Sequence, residues 1–129
     1  MRTSNRARRR RHLKSVAALA ASAIVAACSN PGEGAVADLG REQAARIVSA
    51  IAGYRAESKA LPATLDALVP RYLARADLAL ASGSGTVRPY EYQVTGSDSF
   101  ELTFRYAGPG MNKCTLESRS GSWRCTGYY

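Results

Sequence analysis

Tyr90-Glu91-Tyr92-Gln93-Val94-Thr95-Gly96-Ser97-Asp98-Ser99-Phe100-Glu101-Leu102-Thr103-Phe104-Arg105-Tyr106 is the stretch on which the fold turns. Tyr90, Tyr92 and Val94 alternate with polar residues, as do Phe100, Leu102, Phe104 and Tyr106, and a period of two marks a strand with one buried face. Gly96-Ser97-Asp98 supplies turn residues between the two runs. Such alternation belongs to an antiparallel sheet with one face in water, since parallel strands are buried on both faces.

Working toward the C-terminus, Gly108-Pro109-Gly110 makes the next turn. Lys113 to Glu117 and Trp123 to Thr126 form a final hairpin. A tight turn at Arg119-Ser120 would set Leu116 opposite Trp123 and Cys114 opposite Cys125. Directly opposed residues in a narrow antiparallel pair have Cα atoms ~4.5 Å apart, within disulfide reach. Cys114 and Cys125 are therefore expected to be bonded. No metal is expected, because two thiolates without a nearby histidine fall short of the usual four zinc ligands.

Working toward the N-terminus, Ala81 to Gly85 reads as a loop, and before it the period changes from 2 to 3.6. From Gly40 to about Lys59, the residues Ala44, Ile47, Val48, Ile51, Ala52 and Tyr54 recur at steps of three and four, predicting an amphipathic helix. Gly40 is an acceptable N-cap, with Gln43 as half of a capping box. Gly53 costs such a helix ~1 kcal/mol relative to alanine. The helix must stop before Pro62. Leu61 to Pro70 then reads as a bend with one or two helical turns, capped by Thr64, after which Tyr72 and Leu73 dock on the core. The expected fold is α+β: one N-terminal amphipathic helix and a short helical turn packed on a roughly four-stranded antiparallel sheet, over residues 40–129.

Residues 28–39 are rich in Gly, Ala and Pro and read as a flexible tether. Its roughly 11 residues after Cys28 would reach at most ~36–40 Å. Residues 1–27 have a basic segment (Met1 to Lys14), an apolar stretch (Val16 to Ala27) and the small residues Val25-Ala26-Ala27 before Cys28. These are the parts of a secretory signal peptide. The apolar stretch spans roughly 18 Å as a helix, too little for a bilayer core of ~30 Å. Val25-Ala26-Ala27-Cys28 resembles the bacterial lipobox. That resemblance implies acylation of Cys28 and a cell-envelope location, lipid-anchored and either periplasm-facing or at the outer membrane. Ordinary cleavage after Ala27, with Cys28 a bystander, is the alternative. Arg9-Arg10-Arg11-His12-Leu13-Lys14 also resembles a twin-arginine export signal, although a generic basic leader reads the same way.

Removing the leader takes Lys+Arg from 18 to 11 against an unchanged 10 Asp+Glu. The basic pI is thus a property of the leader and no sign of nucleic-acid binding, whose footprint is a basic patch on the folded domain. The only histidine, His12, leaves too. With Cys28 lipidated, Cys114 and Cys125 remain as a pair in an oxidising compartment where a disulfide persists.

The order of helix, Leu61-Pro62-x-x-Leu65-x-x-Leu68-Val69-Pro70-x-Tyr72-Leu73 and tyrosine-rich strands resembles the globular head of type IV pilins and of type II secretion pseudopilins. The resemblance implies a pilin-head-like fold over about residues 41–129. Those proteins have a long apolar N-terminal helix that polymerises; here a lipobox and a Gly/Pro/Ala stretch stand in its place, so a monomeric head is expected. No enzyme is expected and no cofactor: the head lacks a histidine, a nucleophile elbow and a phosphate loop. Glu91 and Glu101 should lie on the solvated sheet face. The expected function is a lipid-anchored structural or interaction protein of the envelope, such as an accessory to a secretion or pilus-like assembly. The membrane is met through lipid on Cys28, and a protein partner through a sheet edge or the Tyr128-Tyr129 tail. A small binding or inhibitory lipoprotein acting on a foreign hydrolase is the alternative.

Overall fold

Ala37, Gly40, Ala44, Ile47 and Ile51 are buried at alternating steps of three and four, and this stripe turns the helix α1 (Ala35–Ser58) onto a sheet. The structure, a computed structural model, describes residues 30–81, 86–108 and 110–128. The leader, Cys28, Ser29, the loop residues Ser82 to Gly85, Pro109 and Tyr129 lie outside the described residues. No helix among the described residues is long and apolar enough to cross a membrane.

α1 begins five residues before the expected start at Gly40, so the last five of the twelve residues read as tether are helix. Gly34, at φ 94°, occupies the N-cap position, and Gly40 is buried inside the helix. The reason is steric. A Cβ at Gly40 would overlap the Phe104 ring, so the glycine lets the helix close on the sheet and does not cap it. Gln43 likewise caps nothing; its Nε2 donates to the carbonyls of Asp77 and Ala79 at 2.9 and 2.7 Å. At the other end Lys59 is left-handed (φ 60°) and its N–H closes on Arg55 O at 2.9 Å, which stops the helix ahead of Pro62 as expected.

A first 3-10 turn (Leu65–Leu68) buries Leu65 and Leu68, and Leu73 follows them into the core. Thr64 stands at its N-cap without making the expected side-chain bond. The Val69–Pro70 peptide bond is cis. Tyr72 packs edge-on to Tyr54 at 5.9 Å and passes close to Gly53, where a Cβ would stand 3.2 Å from its ring. A second 3-10 turn (Arg75–Leu78) leads into β1 (Ala79–Ala81), which pairs antiparallel with β2 (Val87–Pro89). These three-residue strands flank the expected loop and are too short for a period of two to register in the sequence.

The main sheet is an antiparallel meander of β3 (Glu91–Val94), β4 (Phe100–Gly108), β5 (Gly110–Glu117) and β6 (Ser122–Tyr128). The fold is α+β. Phe100, Leu102, Phe104, Tyr106 and Cys114 are buried under α1. Phe104 sits at the centre, with ring centroids of Tyr90, Tyr106 and Trp123 at 5.9, 5.9 and 5.4 Å. Val94 departs from its run, being 42% exposed where β3 ends. On the outer face Thr103 and Thr115 share a 2.8 Å hydrogen bond, and Arg105 Nε donates to Glu91 at 2.8 Å.

β5 and β6 pair in the expected register, with Leu116 opposite Trp123 and Cys114 bonded to Cys125. Their connection is wider than expected. Pairing ends at Glu117 and Ser122, and Gly121 (φ 66°) returns its N–H to Glu117 O at 2.9 Å. Ser118 donates its N–H to Phe100 O at 3.0 Å across the sheet.

Candidate functional site

The residues nearest Cys28 in the described chain are Asn30-Pro31-Gly32-Glu33-Gly34, and each is held. Asn30 and Glu33 close on one another. The Glu33 N–H donates to Asn30 O at 3.0 Å, while the Asn30 N–H and Nδ2 donate to the Glu33 carboxylate at 3.2 and 3.3 Å. Such a closed turn needs a residue that tolerates positive φ, and Gly32 has φ 90°.

Gly32 is also the point of closest approach to the sheet. Its N–H donates to the Tyr106 hydroxyl at 2.7 Å, and its carbonyl accepts from Arg41 Nη1 at 2.7 Å. A Cβ there would stand 2.6 Å from Cys125 Sγ, so only hydrogen fits over the disulfide. Pro31 lies over Gly127, where a Cβ would come within 2.8 Å of the proline ring. Arg41 is steadied by Asp38, Nη2 to Oδ1, at 2.6 Å. The disulfide is therefore more than a staple between β5 and β6. It is part of the floor on which the N-terminal segment rests.

Beside this segment lies a cleft of about 190 Å³ lined by Asn30, Glu33, Val36, Tyr106 and Asn112. At the opposite end of α1, a groove of about 380 Å³ is bounded by Val48, Ile51, Arg55, Leu61 and Phe100. Neither brings together a nucleophile and a base, and no group of three His, Cys, Asp or Glu among the described residues could hold a metal. Burial raises Tyr90 above the usual phenol range, and its hydroxyl donates to Gly40 O at 2.7 Å. Burial also raises Tyr92, which donates to Pro62 O at 2.8 Å. Tyr72 is raised chiefly by its bond to the Glu57 carboxylate at 2.7 Å. These phenols act as fixed donors that tie helix, bend and sheet together.

Of the site residues expected from sequence, Cys114 and Cys125 form the floor described above, whereas Cys28 lies outside the described residues. Glu91 pairs with Arg105 on the outer face, and Glu101 stands opposite Glu117. Gly32, Arg41 and Tyr106 were not singled out by sequence reasoning. The dense turn residues Asn30-Pro31-Gly32 were the available signal, but a tether and an ordered turn share that composition. No protein-family model, curated protein or solved structure matches this chain.

Proposed function

We propose that this chain is a lipid-anchored protein of the bacterial cell envelope that works by holding a protein partner, in the manner of an accessory to a secretion or pilus-like assembly. The observation that carries this reading is the clamp on Asn30 to Gly34, which ties the head to the residues that follow Cys28. A leader, a cysteine after small residues and a disulfide suited to an oxidising compartment support the same location. The sequence order of helix, Leu-Pro bend and tyrosine-rich strands resembles the heads of type IV pilins, and that resemblance supports a role in assembly.

The partner surface is the edge of β6. Among the described residues β6 pairs only with β5. The Cα atoms of Cys114 and Cys125 are 4.1 Å apart, the spacing of a narrow, non-hydrogen-bonded pair. The main-chain groups of Trp123, Cys125 and Gly127 therefore point off the edge, where an added strand could take them.

Metabolic labelling with an alkynyl fatty acid tests the anchor: the label should be present on the wild-type chain and absent from Cys28→Ser. Label retained on the serine variant contradicts it. A photo-crosslinking residue at Thr126 should capture an envelope protein that one at Ser120 does not. Capture of an exogenous hydrolase instead would support the inhibitory alternative.

A further inference from the structure

One residue, Ser29, separates Cys28 from Asn30, so the two are two Cα steps apart, and Asn30 already belongs to the folded head. We propose that the head has no free tether and rests with one defined end on the lipid headgroups, an orientation that depends on the anchoring reading above. Two residues span at most ~7 Å of extended chain, against ~36–40 Å for a tether reaching to Leu39. A bilayer core of ~30 Å within a total of ~40–45 Å leaves a headgroup layer of roughly 5–8 Å on each side. At that length the first clamped residue can lie no farther from a lipid-bearing Cys28 than about the thickness of that layer.

The topology fixes which end faces the lipid. α1 starts beside the C-terminal half of β4: Gly32 binds Tyr106, Gly40 meets Phe104, and the cleft at Asn30 is shared with Ala107 and Gly108. α1 ends at the other extreme, where Arg55 pairs with Asp98 in the turn before β4. The lipid-facing end is then the start of α1 with the β4–β5 connection, while the Ser118 to Gly121 loop points away. At nine residues, β4 separates the two ends by ~30 Å.

The surface of the lipid-facing end suits the position. Ala107 and Gly108 are exposed and uncharged, and Leu39, in the second turn of α1, is 43% exposed. Arg41 neutralises Asp38, while Glu33 is held by the neutral Asn30 and keeps its charge. The uncharged surface of Ala107, Gly108 and Leu39 can approach the headgroups, and the clamp on Asn30 to Gly34 ties the head closely to its attachment.

The test uses the acylated chain, purified in detergent and returned to phosphatidylethanolamine–phosphatidylglycerol vesicles that contain a headgroup-attached nitroxide lipid. A fluorophore is placed at Ala107→Cys or at Ser120→Cys. Quenching should be strong at 107 and near background at 120. Inserting ten Gly/Ser residues between Ser29 and Asn30 should reduce quenching at 107 toward that at 120. Equal quenching at both positions in floated, acylated protein, or no response to the insertion, overturns the orientation and leaves the anchor standing. Absence of a fatty-acid label from the wild-type chain taken from membranes overturns the anchor, and the orientation with it.

Discussion

The two ends of α1 are held to the rest of the head by different physics. At its start, contact is made through the absence of side chains: Gly32 lies over Cys125, Gly40 over Phe104, and Gly127 under Pro31. Polar groups there reach main-chain partners over short distances, as Tyr106 and Arg41 do at Gly32. At its end, the contacts are long side chains at the surface. Arg55 pairs with Asp98 at 2.5 Å and Arg71 with Glu57 at 2.7 Å, all four substantially exposed, beside the open groove at Val48 and Leu61. Close packing around glycine has no slack, whereas exposed ion pairs are screened and loosely held. The head should therefore be stiff toward Cys28 and tolerant at the far end.

Removing the disulfide should show the largest effect, because it both closes the β5–β6 loop and floors the N-terminal clamp. Cys114→Ala with Cys125→Ala is expected to lower stability by roughly 2–4 kcal/mol in denaturant unfolding. It should also loosen Asn30 to Gly34. A loss confined to β5–β6 would separate the clamp from the disulfide and break the comparison.

Gly40→Ala should cost about 1–3 kcal/mol, as overpacking does, although alanine is intrinsically the better helix former by ~1 kcal/mol. A neutral or stabilising outcome in thermal unfolding would mean that Phe104 can move aside, and that the close approach is not tight.

Tyr90→Phe comes next, at about 0.5–1.5 kcal/mol for the lost bond to Gly40 O. Its pH dependence is more telling. The folded head raises the Tyr90 phenol above its unfolded value of ~10, so this contribution is complete below pH ~10 and falls away as pH climbs beyond it. Tyr92 acts in the same direction. The phenylalanine variant should show a shallower alkaline loss of stability than the parent, and identical slopes above pH 10 would contradict the assignment.

Arg55→Ala at the far end should cost less than ~1 kcal/mol, since the pair is exposed. That small cost should shrink further in high salt. A loss as large as that of Gly40→Ala would erase the contrast between the ends.

The legibility of the sequence follows the same division. The β5–β6 register could be read because a period of two, two cysteines and one short turn left few alternatives, and a wider turn at Ser118 to Gly121 left it intact. The helix start could not. Ala35, Val36 and Ala37 carry too little hydrophobic contrast to show a helical face, and Gly40 resembles a cap when only its neighbours in sequence are considered. Its true neighbour, Phe104, lies 64 positions away. Gln43 resembles half of a capping box for the same reason, since its partners Asp77 and Ala79 lie in the second 3-10 turn and in β1. The candidate site was half legible: the cysteines stood out, but the hydroxyl of Tyr106 looked like any strand tyrosine until Gly32 was placed against it.

Amide hydrogen exchange at Gly32 tests the central claim most directly. If Asn30 to Gly34 are part of the folded head, the Gly32 N–H, bonded to the Tyr106 hydroxyl, should exchange far more slowly than a free peptide, and Tyr106→Phe should remove most of that protection. Exchange at the free-peptide rate in the unaltered chain would mean that the segment is a tether after all, and that the head is not coupled to Cys28.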